Sequence, residues 1–197
     1  MAVISRGFFG RKREENPELP PGQYLTEDFP VLSAGPTPVV DLADWTFSIQ
    51  TESGEVHAWN WEQLNALPQE DIHTDIHCVT RWSKLGTTWS GVSLDTLFAG
   101  VDTTNAYVMV HSYGGYTTNM PLADLMDGKA WIATSFEGEP LDPEHGGPAR
   151  LLVPHLYFWK SAKWVHGLRM VATDDPGFWE QNGYHIYGDP WLEQRYW

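Results

Sequence analysis

The sequence predicts an α+β domain with a mixed, largely β core and short helices. Apolar and polar residues alternate over short runs, most clearly in Trp45-Thr46-Phe47-Ser48-Ile49, which is the two-residue period of a half-buried strand. The helical signals between such runs are caps followed by only one or two turns. No strand is paired with a helix of the length that repeated parallel strand–helix units require, and no internal repeat is present. At 197 residues the chain can bury one good core, so one domain is expected.

Up to about Pro38 the chain is rich in proline and charge. Pro17, Pro20, Pro21, Pro30, Pro36 and Pro38 exclude a helix or a central strand there. Residues 1–28 are expected as a flexible tail and extended arm, and 29–197 as the single domain, with Phe29, Val31 and Leu32 available to anchor the arm. Trp45 to Ile49 and Val56 to Trp59 read as a hairpin turning at Ser53-Gly54. Asn60 and Gln63 form a capping box for a short helix with Leu64 and Leu67 inward, ended by Pro68. The β-like run DIHTDIHCV follows, and Gly86 is expected to open a loop after it. Ser93 caps a helix carrying Leu94, Leu97 and Phe98, stopped by Gly100. Tyr107 to His111 and Tyr116 to Met120 are strands about a Gly114-Gly115 turn, and Pro121 suits the first position of a helix reaching Met126. Trp131 to Phe136, Leu151 to Val153 and Leu168 to Ala172 are the remaining strands. The aromatic C-terminus is expected to pack back across the body.

Lys and Arg total 12 against 26 Asp and Glu, a formal net charge of −14. That balance repels nucleic acid and anionic membranes, so neither is an expected partner. No stretch approaches the roughly 20 apolar residues of a membrane helix. The basic start is not followed by an apolar run, so no secretory signal is read and a cytoplasmic location is expected.

The one cysteine, Cys78, excludes an internal disulfide framework. In a strand it would end a row made by Ile72, Thr74 and Ile76. A lone cysteine is commonly a small buried hydrophobe. Arg81 and Lys84 lie within six residues, and positive charge favours the thiolate, the form that binds soft metals. His73 and His77 do not complete a zinc site, because in a strand they stand about 13 Å apart and no CxxC or HExxH accompanies them. There is no GxSxG elbow and no phosphate loop of the nucleotide-binding kind. Five cations, Arg81, Lys84, Arg150, Lys160 and Lys163, bracket Cys78 or lie in the HGGPAR and FWKSAKWV stretches, which makes a candidate anion-binding cluster. Lys129 and Arg195 are expected as ordinary surface charges.

Two segments carry a family resemblance. HCVTRW with WSGVSL downstream resembles the metal-ligand segment of the sulfite oxidase family of molybdopterin oxidoreductases, and HGGPARLLVPHLYFWKSAKWV is similar to its cofactor-binding segment. The resemblance runs from about Phe29 to the C-terminus. It implies the sulfite oxidase-type molybdopterin-binding fold and a Mo-molybdopterin cofactor whose molybdenum is held by a dithiolene and by the thiolate of Cys78. It also implies that Ser112, His145 and Arg150 contact the pterin or its phosphate, and that Ser161, Ala162 and Lys163 form a phosphate-cradling turn. In relatives an arm near Asp28 and Phe29 touches the cofactor as well. The implied activity is oxygen-atom transfer to or from a small sulfur or nitrogen compound such as sulfite, an S-oxide or an N-oxide. Arg81 would position an anionic or S-oxide substrate, and a separate electron-transfer partner would complete the cycle. The alternative is a binding protein that keeps the fold without turnover.

Overall fold

The computed structural model describes residues 16–197. The first fifteen residues of the expected tail, with Arg6, Arg11, Lys12 and Arg13, lie outside the described residues.

In chain order the elements are β1 (Tyr24–Leu25), β2 (Thr46–Gln50), β3 (Val56–Asn60), α1 (Trp61–Asn65), β4 (Glu70–His77), β5 (Trp82–Ser93) and α2 (Leu94–Leu97). They continue with β6 (Tyr107–Ser112), β7 (Thr117–Pro121), β8 (Trp131–Phe136), β9 (Glu139–Pro140), β10 (Arg150–Leu152), β11 (Val165–Val171) and α3 (Phe178–Gln181). They make two sheets. One runs β1-β5-β8-β10, with β4 also paired to β5 and β9 to β8; the other runs β3-β2-β11-β6-β7. The β1–β5 and β2–β11 pairs are parallel and the rest antiparallel, so the β core is mixed as expected. Among the described residues no helix is long and apolar enough to cross a membrane.

The local signals act as their chemistry dictates. The Asn60 side chain accepts from the Gln63 N–H at 2.8 Å and the Gln63 side chain accepts from the Asn60 N–H at 2.9 Å, which satisfies two otherwise orphaned donors at the start of α1. Leu64 is thereby turned into a core that contains Phe47, Ile49, Val108 and Leu168. A second core is aromatic and packs Trp82, Trp89, Tyr157, Phe158 and Trp159 around Ile76 and Cys78.

Two expectations are corrected. Pro121 is the last residue of β7, and only a single 3-10 turn, Leu122–Asp124, follows it. The Leu122 N–H donates to the Ala106 carbonyl at 2.8 Å, so the β6–β7 pairing continues past Pro121 and holds that residue extended, at ψ 140, where a first helical residue would need helical angles. Gly86 does not open a loop, because β5 runs through it. Thr74 pairs with Thr87 and Ile76 with Lys84, so Leu85 and Gly86 together face Asp75 in a β-bulge. Gly86 adopts φ +64 and donates its N–H to the Asp75 carboxylate at 2.7 Å. The bulge re-aims the end of β4, and Ile76, His77 and Cys78 are buried in succession.

The C-terminus does fold back across the body. Tyr184 bridges to Tyr196, and the Arg195 guanidinium donates to the Val79 carbonyl at 2.7 Å and the Pro21 carbonyl at 2.9 Å. Arg195 is therefore a buried brace rather than a surface charge, because these carbonyls would otherwise be left without donors. Residues 16–28 are tied down as well, through the pairing of Tyr24 with Trp82 and of Leu25 with Ser83.

Candidate cofactor and active site

Cys78 follows β4 directly and begins the turn to β5. Its N–H donates to the Trp82 carbonyl at 2.9 Å and its carbonyl accepts from the Arg81 N–H at 3.0 Å. Val79, Thr80 and Arg81 are thus a three-residue hairpin loop, and such loops place their last residue in the left-handed region. Arg81 takes that position, with φ +79. The loop holds the thiol 7% exposed at the edge of the aromatic core. Burial pushes the Cys78 thiol up from its ordinary range. The opposing influences are hydrogen bonds, led by the Thr80 hydroxyl that donates to Sγ at 3.1 Å, and the positive charge of Arg195.

The thiol faces a cavity of about 480 Å³, within the size range of cofactor sites. Arg150, Ser161, Ala162 and Lys163 line the same cavity, so five of the residues singled out in the sequence meet there. The HGGPAR loop achieves this by close packing. A side chain on Gly146, at φ +110, would press on Arg150 Cβ and on Lys163, both at 3.1 Å, so only glycine lets the loop lie against the 161–163 turn. Gly147 likewise packs against the Leu141 carbonyl.

Arg150 is 1% exposed, and among the described residues it has no carboxylate partner. Its two terminal nitrogens donate to the His145 and Ser161 carbonyls, each at 2.7 Å, and its face lies over the Phe158 ring. Nε makes no hydrogen bond. Burial opposes its positive charge, and the two carbonyls and the aromatic face are the neutral groups that offset part of that cost. Lys163 donates to the Leu32 carbonyl at 2.8 Å and the Glu144 carbonyl at 2.6 Å, tying the arm to the cavity rim. Ser161 Oγ accepts from the Val153 N–H at 2.9 Å, and the Ala162 carbonyl accepts from Leu151 at 2.9 Å, which fixes the turn against β10.

Three singled-out residues do not line the cavity. Ser112 is buried at the end of β6, immediately before the lining residues Tyr113, Gly114 and Gly115, and its hydroxyl has no partner among the described residues. His145 stacks on Phe29 at 3.9 Å between centroids and borders a separate cavity. Arg81 is exposed, and its side chain takes no partner among the described residues. The expectation that Arg81 and Lys84 supply the charge near the thiol is corrected: the hairpin geometry turns Arg81 outward, and Lys84 donates to the Glu27 carbonyl at 2.6 Å. Lys160 also leaves the anion-binding cluster. It is fully buried and pairs with Glu180 at 2.7 Å.

Sequence reading missed Thr80, Arg195 and an aromatic wall made by Trp159, Trp179 and Tyr184. Glu180 organises that wall by accepting from the Trp159 indole at 2.8 Å and the Thr118 hydroxyl at 2.9 Å, as well as from Lys160. The residue opposite is glycine for a reason, since a side chain on Gly188 would meet the Trp159 ring at 2.7 Å. Lys160→Met is expected to cost about 3 to 5 kcal/mol of folding stability, because it strands a buried carboxylate. Urea unfolding of the cofactor-free chain checks this, with Lys129→Met as a surface control.

The comparisons with known proteins agree with this geometry. Residues 34–179 match the family model described as the oxidoreductase molybdopterin binding domain. The chain is 42% identical over 194 residues to the uncharacterized oxidoreductase YuiH of Bacillus subtilis (strain 168), covering 96% of this chain and 98% of that protein. It is 30% identical to an Azospira oryzae protein, YedZ1, provisionally named a protein-methionine-sulfoxide reductase subunit, over 76% of this chain and 57% of that one. It is 25% identical to the mitochondrial sulfite oxidase of Drosophila melanogaster, over 88% of this chain and 36% of that one. The chain thus spans nearly all of the first relative but about half and about a third of the other two. The fold is similar to that of the sulfane dehydrogenase SoxCD from Paracoccus pantotrophus, with a TM-score of 0.64 at 18% identity over 75% of this chain and 42% of that one. The chain therefore belongs to the oxidoreductases with a molybdopterin-binding domain of the sulfite oxidase type, and its cofactor is Mo-molybdopterin.

Proposed function

We propose that this protein moves an oxygen atom to or from a small sulfur or nitrogen compound, with Cys78 as the protein ligand of the molybdenum. The observation that carries the reading is one cavity holding both a buried thiol and a buried guanidinium without a counter-charge. The residues present fit the cofactor. Arg150 and Lys163 match a phosphate in charge, the buried Ser112 hydroxyl lacks a partner, and the thiolate is a soft ligand. When bound, the cofactor supplies a metal that exchanges an oxygen atom and two electrons with the substrate. The chain's own work is to bind and to orient. Cys78 gives up its proton on ligation, Thr80 directs its hydroxyl at the sulfur, and Arg150 and Lys163 hold the phosphate in a site fenced from water by Phe29, Phe158 and Trp164. His145 serves from behind, through the carbonyl that orients Arg150.

In the reductive direction the substrate's oxygen leaves as water, taking two protons and two electrons; oxidation runs the reverse. The electrons pass to or from a separate partner, for which a viologen dye substitutes in an assay. The test is the molybdenum content of protein made in a cell competent for molybdopterin synthesis. About one atom per chain is expected, and a content near zero would sink the reading. Bound cofactor with no turnover of any sulfite, S-oxide or N-oxide would favour a non-catalytic binder.

Lys163 gives this reading a pH signature. Burial first, and then the charge of Arg150, hold its ammonium down at about 8, against an ordinary value of 10.5. Between those values the unfolded chain binds more protons than the folded one, so the cofactor-free protein gains stability as pH rises through the window. Phosphate binding runs the opposite way, because the ammonium is present below about pH 8 and is lost above it. A charge-assisted hydrogen bond worth about 1.5 to 3 kcal/mol is at stake. Cofactor retention measured across this window should fall with rising pH in the wild type and stay flat in Lys163→Met.

A further inference from the structure

We infer that Arg195 is a positioning residue of the metal site: it braces the loop that carries Cys78 and sets a positive charge behind the thiolate, which raises the potential at which the metal accepts an electron. The inference rests on Cys78 being the ligand proposed above. It adds a residue from the far end of the chain, beyond residues 34–179 that carry the family match.

The loop is held from outside itself. The Cys78 carbonyl accepts from the Gln23 side-chain amide at 2.9 Å, the Val79 carbonyl from Arg195 at 2.7 Å, and the Arg81 carbonyl from the Tyr24 N–H at 2.8 Å. Two of these donors come from the arm and one from the C-terminal segment. Arg195 joins the two segments, because its other terminal nitrogen donates to the Pro21 carbonyl at 2.9 Å. Gly22, at φ +71, lets the arm come this close: a side chain there would meet the Glu193 carboxylate at 2.9 Å and the Arg195 guanidinium at 3.5 Å. A planar guanidinium suits the task, since its fork serves two carbonyls at once.

The charge acts beside the brace. Arg195 is 4% exposed and the thiol 7%, so water screens one from the other poorly. The guanidinium lies on the Tyr157 ring at 4.9 Å, and Tyr157 packs in the same aromatic core as Cys78. Its field is felt at the thiol, where it opposes the upward push of burial. Among the described residues the carboxylate paired with Arg195 is Glu193, at 3.4 Å and half-exposed, where solvent weakens its hold on the buried charge. Arg195 does not line the cavity, so it works through the loop and through its field rather than by touching cofactor or substrate. A positive charge near a ligating sulfur favours the electron-richer state of the metal, as charge and hydrogen bonding around a ligand generally do.

Three variants separate the charge from the brace. Arg195→Lys keeps the charge but reaches one carbonyl, Arg195→Gln keeps a donor without charge, and Arg195→Met keeps neither. The first measurement is a redox titration of molybdenum-loaded protein at fixed pH, with the midpoint of the one-electron couple read from the paramagnetic molybdenum(V) signal. The glutamine and methionine variants are expected to lower the equilibrium constant for reduction about tenfold, a fall of about 59 mV, while the lysine variant stays within about a third of that shift from wild type. The second measurement needs no cofactor: hydrogen exchange at the Cys78 and Arg81 amides should speed up at least about tenfold in Arg195→Met and less in the other two.

Equal midpoints in all four proteins, or a lysine variant that falls as far as methionine, overturn the inference. So does unchanged exchange at both amides in Arg195→Met; should that variant not fold, Arg195→Gln carries both measurements. A loaded enzyme whose midpoint ignores Arg195 sinks this inference alone, whereas a wild-type chain that never acquires molybdenum sinks the function on which it rests.

Discussion

Cys78→Ser is expected to abolish turnover while leaving the fold in place. The thiol is 7% exposed and makes one side-chain hydrogen bond, received from Thr80. A serine oxygen accepts the same bond, so the cost to folding is about 1 kcal/mol, at the low end for a buried hydroxyl. Serine cannot supply a soft thiolate to the metal. Activity should fall at least about a thousandfold, roughly 4 kcal/mol of transition-state stabilisation. Thermal unfolding, metal content and dye-linked turnover are the three measurements. A variant with normal metal content and normal rate would show that the thiolate is not the ligand.

Arg150→Ala should empty the site rather than slow it. Among the described residues the guanidinium is buried without a carboxylate, and the proposed counter-charge is the cofactor phosphate; removing one partner of a buried charged pair costs about 2 to 5 kcal/mol of binding. The variant also strands the His145 and Ser161 carbonyls that Arg150 now serves. Arg150→Lys keeps the charge but cannot span both carbonyls and a phosphate, so only partial occupancy is expected. Pterin and molybdenum content would be compared with Lys129→Ala, whose exposed ammonium only reaches the Ala123 carbonyl. Equal occupancy in all three variants would mean that the buried guanidinium does not hold the cofactor.

Much of the architecture was legible because its causes are local. A capping box at Asn60 and Gln63, a serine cap at Ser93 and two-residue alternation from Trp45 to Ile49 each depend on neighbours a few residues away, and each element formed, the strand shifted by one residue to Thr46–Gln50. Where strand pairing with a partner distant in the chain decided the outcome, local reading failed, as at Pro121, which pairs with Tyr107 at the end of β7, and in the bulge at Gly86.

The site divides the same way. The sequence by itself determined the thiol, the glycines that let Arg150 approach Lys163, the Ser161-Ala162-Lys163 turn and hence the family. Only the tertiary structure decided which charges serve the site. Arg81 lies three residues from Cys78 yet is exposed in the hairpin loop and does not line the cavity. Arg195 lies more than a hundred residues away yet reaches the Val79 carbonyl. Lys160, three residues from Lys163, turns to a buried carboxylate instead of the cavity. Charge acts through distance in space, and a chain folded into two sheets makes that distance unrelated to separation in sequence.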